Sequence, residues 1–307
     1  MPPTWLVTGS SGFLGTNAGL WLEGKARRVG VSRNGLASPF FDVQHGVDLR
    51  DTDSMVDVIH ATRPDVILHA AAISGHETCA HDPDQAYAVN VTATATIAQA
   101  ALDVGARLVY ISTDAVFGGD RGNYTEDDSP APFSYYGETK LKGEEAIRRA
   151  GGPALVARTN FFGWSVPAKR SVLEFFVDSL RSGEEIHGYP DFVVTSIYVR
   201  SLLDCLWRLN ESAATGTVHV ASRDALSKYD FGVEVARVFG LDAGLIESID
   251  SMHSGHATSR SRDISLGTSR LESLLGTPPQ TQGEGIRQAS AEEAAIRSLI
   301  RGEVTRH

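Results

Sequence analysis

The sequence predicts an α/β protein built on a parallel, doubly wound sheet, and three observations carry that prediction. Short apolar runs of strand length alternate with helix-period segments through the first half of the chain. The first such run, Thr4-Trp5-Leu6-Val7-Thr8, opens directly into Gly9-Ser10-Ser11-Gly12-Phe13-Leu14-Gly15. Further on, Tyr136 stands four residues before Lys140, one helical turn, so both side chains project from one helix face.

The elements follow in order. After the first strand, Phe13 to Glu23 reads as a helix and Arg28 to Ser32 as a second strand. Asp51 to Ala61 carries helical spacing, and Pro64 marks its end. Val66-Ile67-Leu68-His69-Ala70 is a buried-strand run. Pro83 to Val104 reads as one long helix ended by Gly105, and Arg107 to Ser112 as the next strand. The stretch from Gly118 to Pro132, rich in Gly, Asp and Pro, is a loop. Tyr135 to Arg149 is the helix that holds the Tyr/Lys pair, and Ala154 to Ala157 the strand behind it. Ser196 to Val199 and Val218 to Ala221 read as strands, the latter rejoining the main sheet. Asp250 to Ser265, dense in Ser, His and Arg, reads as a loop.

Composition sets limits. A chain of 307 residues can bury a substantial core, and beyond about 250 residues a second lobe is common. The excess of 38 acidic over 28 basic residues gives a net charge of −10, which argues against nucleic acid or an anionic membrane as a partner. No apolar run approaches the ~20 residues of a membrane span, and the first residues lack a basic-then-apolar leader, so a cytoplasmic location is expected. Cys79 and Cys205 form neither a metal-spaced cluster nor a disulfide framework. His253 and His256 have no third ligand at diagnostic spacing, so no metal site is expected.

The chemistry concentrates in two places. In the glycine loop, Gly9 permits a tight turn out of a strand, Gly12 lets a pyrophosphate approach the backbone, and Gly15 allows close helix–strand packing. The following helix aims its N-terminal amides at phosphates. In the Tyr/Lys helix, an ammonium beside a phenol that normally titrates near pH ~10 lowers that value and makes Tyr136 a usable general acid or base. Thr113 supplies a hydroxyl to hold a substrate oxygen beside it. By itself Tyr-x-x-x-Lys also fits an ordinary solvated helix face. About 20 residues past such a loop, an NAD site usually places an acidic residue on the ribose. Here Val29-Gly30-Val31-Ser32-Arg33 offers no carboxylate. Ser32 and Arg33 suit a 2′-phosphate, which favours NADP(H) over NAD(H); the plainer reading puts Arg33 on a solvated loop.

In family order, these motifs together resemble the extended short-chain dehydrogenases/reductases, nearest the dTDP-4-dehydrorhamnose reductase-like branch. The resemblance is carried by Thr8 through Gly15, His69-Ala70-Ala71-Ala72, Asn90 in Ala88-Val89-Asn90-Val91-Thr92, and Ser112-Thr113-Asp114-Ala115-Val116-Phe117-Gly118. Tyr136 to Lys140 with Leu141 to Glu144, Arg158-Thr159-Asn160, and Arg262 to Leu266 complete it, spanning nearly the whole chain. It implies a Rossmann-type doubly wound sheet over residues 1–160, with a return around 191–224. A smaller, C-terminal substrate-binding lobe is implied over 161–190 and 225–307. It implies Thr113, Tyr136 and Lys140 as catalytic residues. Gly9, Ser11, Gly12, Phe13, Leu14, Ser32, Arg33, Asp48, Leu49, Ala70, Ala71, Ala72 and Asn90 would line the cofactor beside Tyr136 and Lys140.

The implied reaction is hydride transfer from NADPH to the C4 ketone of a nucleotide-linked 4-keto-6-deoxyhexose, a small-molecule substrate, by an enzyme that in this family often pairs as a homodimer. His76, Asp114, Asn160, Trp164 and Arg262 are the substrate-side candidates, with Arg170 beside them. His76 on a solvated loop, Trp164 in the core and Arg260, Arg262 and Arg270 as scattered surface charges are the plainer alternatives. Two departures from the family pattern matter. Ala115 replaces the usual Tyr of Ser-Thr-Asp-Tyr-Val-Phe, which opens the question of the sugar, and the stretch Ser74 to Thr78 departs from the usual substrate loop. The related 4,6-dehydratases follow Thr with Asp-Glu; Ala115 stands at the Glu position, which disfavours dehydration. An epimerase, a reductase of a non-nucleotide ketone, and a non-catalytic cofactor-binding subunit like that of methionine adenosyltransferase are the alternatives.

Overall fold

The structure, a computed structural model, describes residues 1–35, 38–166, 170–251 and 262–301. The chain divides into two compact units. The first gathers Met1–Val116, Ser134–Arg158 and Ala213–Val218; the second gathers Phe117–Phe133, Thr159–Ser212 and the described residues from His219 onward. The expected roles of His253 and His256, the basic Arg260 and most of the Asp250–Ser265 loop fall outside the described residues.

In the first unit, β1 (Thr4–Thr8), α1 (Phe13–Trp21), β2 (Arg27–Ser32), β3 (Val43–Gly46) and α2 (Thr52–Thr62) lead to β4 (Val66–His69). Then come α3 (His76–His81), α4 (Pro83–Tyr87), α5 (Ala93–Val104), β5 (Arg107–Thr113), α6 (Tyr135–Ala150) and β6 (Ala154–Thr159). A seven-stranded sheet runs in the order Gly216–His219, β6, β5, β4, β1, β2, β3. β3, β2, β1, β4 and β5 are parallel, with Val7 of β1 level with Gly30 on one side and Leu68 on the other. This is the Rossmann-type doubly wound order. The chain builds outward from β1 to β3, then crosses back to β4, so the order reverses between β1 and β4 and leaves a crevice at their carboxyl ends.

Local causes are visible along the unit. β4 is wholly buried and β1 nearly so, as parallel strands covered on both faces require. Ile97, Ala98 and Ala101 of α5 pack with Ile59 of α2 and Ile147 of α6 over Leu6, Ile67 and Leu108. The Asp51 carboxylate caps α2 by accepting from the Ser54 amide at 3.1 Å. α5 ends at Gly105 in the left-handed region, φ +74°, where a side chain would be strained.

The structure adds to the sequence reading in four places. β3 lies at the sheet edge, half-buried, and its Gln44-His45 centre gives no apolar run. Ser74–Thr78, expected as loop, contains the start of α3, capped only by Gly75. The long helix from Pro83 to Val104 contains a π-turn at Ala88–Thr92. The strand expected at Val218–Ala221 joins the sheet two residues earlier, and that at Ser196–Val199 shrinks to Ile197–Tyr198 because Val199 starts a helix to Glu211.

The second unit has two-stranded ribbons and helices around an aromatic core. Phe161–Phe162 pairs in parallel with Ile197–Tyr198, and Leu226–Ser227 antiparallel with Val193–Val194. Phe162, Phe176, Tyr198 and Phe231 are buried there, and Phe162 meets Phe231 edge-on at 5.1 Å. The helix Val172–Arg181 opens with a reciprocal cap, Ser171 bonding the Glu174 amide and Glu174 bonding the Ser171 amide. The Gly118–Pro132 loop is pinned by Tyr124, which stacks on Phe117 at 4.3 Å and accepts from the amides of Gly119 and Asp120. Among the described residues no helix is long and apolar enough to cross a membrane, and no three His, Cys, Asp or Glu side chains gather as a metal site.

Candidate active site

The first unit holds the glycine loop and the Tyr/Lys helix. Gly9 sits at φ +70°, and a Cβ there would lie 3.0 Å from the Ala71 Cα. The turn is therefore pressed against the end of β4, and only glycine fits. Gly15 is tighter still: a Cβ would stand 2.1 Å from the Gly9 carbonyl oxygen, which is why α1 can start so close to the loop. The Gly12 amide donates to the Gly9 carbonyl at 2.9 Å. Gly12 caps α1 with no side-chain bond, and the first turn carries no acidic residue. These features make a backbone cradle at a helix N-terminus suited to an anion. Ser11 on the loop is exposed, Phe13 half-buried and Leu14 buried.

Ala70, Ala71 and Ala72 follow β4 and are each half-buried. At the end of β2, Ser32 is buried and receives the Gln44 amide at 3.1 Å, while Arg33 is exposed. Asp48 is engaged by Arg50, whose guanidinium lies 2.7 Å away and holds the carboxyl down at about 2. Leu49 beside it is buried.

α6 begins at Ser134, whose hydroxyl accepts from the Gly137 amide at 3.2 Å, and ends at Gly151, φ +80°. That fixes Tyr136 and Lys140 one turn apart, beside the end of β5 where Thr113 sits. Thr113 stands against Tyr136 and favours its phenolate. Its hydroxyl also accepts from the Ala115 amide at 3.1 Å and lies 3.0 Å from Asp114. His76, from the first turn of α3, meets the Tyr136 ring edge-on at 5.3 Å between centroids. Lys140 Nζ lies 4.0 Å from the centre of the Tyr110 ring.

Asn90 supports this corner from the π-turn. Its carboxamide oxygen accepts from the Ile73 amide at 2.9 Å, and its nitrogen donates to the Ile73 carbonyl and to Thr139 Oγ1, each at 3.0 Å. Widening the helix by one residue at the turn is what frees this side chain to reach both the β4 loop and α6.

The electrostatics differ from the sequence expectation. Burial pushes the Tyr136 phenol up from its ordinary value, opposed by Thr113 beside it. Burial also pushes Lys140 down to about 7, opposed by the charge of Glu144. Loss of water dominates both groups, and the charge of Lys140 does not hold the phenol low. Tyr136 keeps its proton at neutral pH, the state a proton donor needs.

Sequence reading named Ser112, Glu144 and Arg158 within motifs but gave no role to the frame they build behind the site. Arg158 pairs with Glu144 at 2.7 Å, both buried, and Ser112 donates to Glu144 at 2.5 Å. The trio ties β5, α6 and β6 together one residue from Thr113. Its signal was the third acid-base side chain on the helix face, at the spacing Tyr136, Lys140, Glu144. Thr94, which with Thr8 holds His69, gives no signal of its own.

The remaining substrate-side candidates lie in the second unit. Asn160 accepts from Ser196 at 2.7 Å. Trp164 is fully buried, its indole N–H donating to the Ala289 carbonyl at 3.0 Å, which puts it in the core. Arg170 bonds the Phe175 carbonyl and Ser179, and Arg262 is exposed with its carbonyl bonded to the Val193 amide.

Comparison with known proteins places the chain. A family model described as the RmlD substrate binding domain matches residues 4–295. The probable low-salt glycan biosynthesis reductase of Haloferax volcanii is 31% identical over 280 residues, 90% of this chain and 93% of that one. The methionine adenosyltransferase 2 subunit beta of Pongo abelii is also 31% identical over 280 residues, 88% of this chain and 81% of that one. Among solved structures, the dTDP-4-dehydrorhamnose reductase of Bacillus anthracis, in complex with NADP, superposes with a TM-score of 0.86 at 24% identity. It covers 95% of this chain and all of that one.

Proposed function

The chain belongs to the RmlD substrate binding domain family, and from that premise we propose that it is a nicotinamide-dinucleotide-dependent reductase of a nucleotide-linked sugar ketone. One observation carries the reading: a protonated Tyr136, beside Thr113 and one turn from Lys140, in the same unit as a glycine cradle. The H. volcanii relative is named as a reductase, in keeping with it.

The residues present fit the dinucleotide. A side chain at Gly9 or Gly15 would fill the cradle, and the uncapped start of α1 presents amides to a diphosphate. Gly9, Ser11, Gly12, Phe13 and Leu14 would hold that diphosphate, Asp48 and Leu49 the adenine, and Ala70, Ala71 and Ala72 the nicotinamide half. When bound, the dinucleotide supplies the hydride. Thr113 then orients the substrate carbonyl oxygen by a hydrogen bond. Tyr136 donates its proton to the oxygen as negative charge builds there, so the donor waits where charge develops. Lys140 balances the phenolate left behind. His76, edge-on to Tyr136, and Asp114, beside Thr113, face the substrate.

Ser32 and Arg33 favour NADP(H): a planar guanidinium suits a 2′-phosphate, and Val29 to Arg33 carries no carboxylate. The preferred substrate is a 4-keto-6-deoxyhexose on a nucleoside diphosphate, reduced at C4. Ala115 in place of an acid speaks against elimination. The likeness to a methionine adenosyltransferase subunit favours a second reading, a non-catalytic cofactor-binding subunit. Retention of Thr113, Tyr136 and Lys140 favours catalysis over it.

The test is cofactor stoichiometry. Incubated with NADPH and dTDP-4-keto-6-deoxyglucose plus its 3,5-epimerase, the protein is expected to oxidise one NADPH per sugar reduced. With the added epimerase left out, sugar conversion by the protein with no net NADPH loss would mean an epimerase, and NADPH binding without conversion in either mixture would favour the regulatory reading.

A further inference from the structure

His69, the last residue of β4, is fully buried with hydrogen-bond partners at both ring nitrogens. Nδ1 lies 2.7 Å from Thr8 Oγ1 and Nε2 lies 3.0 Å from Thr94 Oγ1. Two further bonds fix the proton positions. The Thr94 hydroxyl donates to the Asn90 carbonyl at 2.8 Å, and the Ala71 amide donates to Thr8 Oγ1 at 3.2 Å.

A threonine hydroxyl has one hydrogen. Thr94 gives its hydrogen to Asn90, so toward His69 it can only accept, and Nε2 must carry a proton. Nδ1 is then a lone pair and must accept from Thr8, whose own oxygen is free to receive the Ala71 amide. The opposite tautomer would face the Nε2 lone pair with a Thr94 lone pair and leave the Thr8 hydrogen without an acceptor. Thr8, His69 and Thr94 are all 0% exposed, so no water repairs such a mismatch.

We infer that His69 is a positioning residue, locked as the neutral Nε2–H tautomer within a one-way hydrogen-bond chain, Ala71 to Thr8 to His69 to Thr94 to Asn90. The chain couples the alanine wall after β4 to the π-turn. From there Asn90 bonds Ile73 and Thr139, the latter adjacent to Lys140. It therefore sets the spacing between the proposed nicotinamide wall and the Tyr136–Lys140 helix. That functional significance rests on the proposed dinucleotide site; the tautomer does not.

The titratable groups packed around His69 are Tyr110 from β5, its ring centre 5.5 Å away, and Lys140 from α6. Burial and then the Lys140 charge both oppose protonation of the imidazole. The ring thus keeps its single proton through the physiological range.

The experiment is ¹⁵N NMR of the full chain with labelled histidine, the His69 signals assigned by their loss in His69→Gln. The expected result is a protonated Nε2 and an unprotonated Nδ1, with shifts unchanged from pH 5 to pH 9. A protonated Nδ1, or titration within that range, would overturn the inference whether or not the protein reduces anything. The coupling is read by a pair of variants in NADPH titrations. Thr94→Val is expected to weaken binding by roughly threefold to tenfold, as loss of one buried hydrogen bond implies, while Thr94→Ser restores it. Equal binding in the two variants would overturn the positioning role. If neither variant nor wild type binds NADPH, the dinucleotide reading fails and the tautomer measurement alone decides.

Discussion

At the scale of single residues, the site's chemistry follows from burial. Lys140 is buried and Tyr136 half-buried, and each is driven toward its neutral form. A donor tyrosine suits reduction, and Tyr136→Phe, which keeps the ring and removes the proton, should lower turnover by about a hundredfold or more. NADPH affinity in that variant should stay close to wild type by fluorescence titration. The lysine makes a pH prediction. With Lys140 held at about 7 by burial, kcat/KM should fall as pH rises through that value, since the ammonium is lost there. A flat kcat/KM profile from pH 6 to pH 9 would contradict the assignment. His69 acts on stability instead. Its proton affinity is pushed down to about 3, so below the ordinary histidine value of ~6.5 the unfolded chain binds a proton that the native state refuses. Stability therefore rises with pH across that window and is lost as pH falls through it. Urea unfolding at pH 4 and pH 7 should show a smaller difference in His69→Gln than in wild type.

At the scale of elements, the strands and helices that build the site were mostly legible, and the reasons are local. β1, β4 and β5 are buried on both faces and read as unbroken apolar runs. Gly105 and Gly151 mark helix ends because only the left-handed conformation closes them. The glycine loop was legible because three of its positions admit no side chain or little room for one. What escaped depends on partners distant in sequence. β3 has no apolar run because it lies at the sheet edge, and the π-turn goes with the bond that Asn90 makes to Ile73, 17 residues away. Tyr-x-x-x-Lys spacing shows the neighbouring ammonium and not the burial that sets the direction of the Tyr136 shift. The Glu144–Arg158 pair, 14 residues apart, joins α6 to β6 from within the core. Glu144→Ala should cost about 3–5 kcal/mol in urea unfolding by leaving Arg158 buried without its carboxylate. Adding Arg158→Met should recover much of the loss; no recovery would mean the pair does more than balance charge.

At the scale of the whole molecule, the match from residue 4 to residue 295 and the Rossmann-type strand order fix family and fold, while the sugar remains a matter of individual contacts. The proposed preference for NADP(H) rests on one exposed guanidinium, Arg33. Arg33→Ala should shift the ratio of NADPH to NADH affinity toward NADH by about tenfold to a hundredfold, the worth of a charge-assisted bond to phosphate. An unchanged ratio would return Arg33 to the solvated loop. The central claim is that Thr113, Tyr136 and Lys140 perform proton chemistry on a sugar ketone. It is tested most directly by following NADPH oxidation with dTDP-4-keto-6-deoxyglucose and its epimerase, for the wild-type chain beside Tyr136→Phe. The account predicts steady oxidation by the wild type and almost none by the variant, with NADPH bound equally by both. Equal rates in the two proteins, or no oxidation by a wild type that binds NADPH tightly, would contradict it.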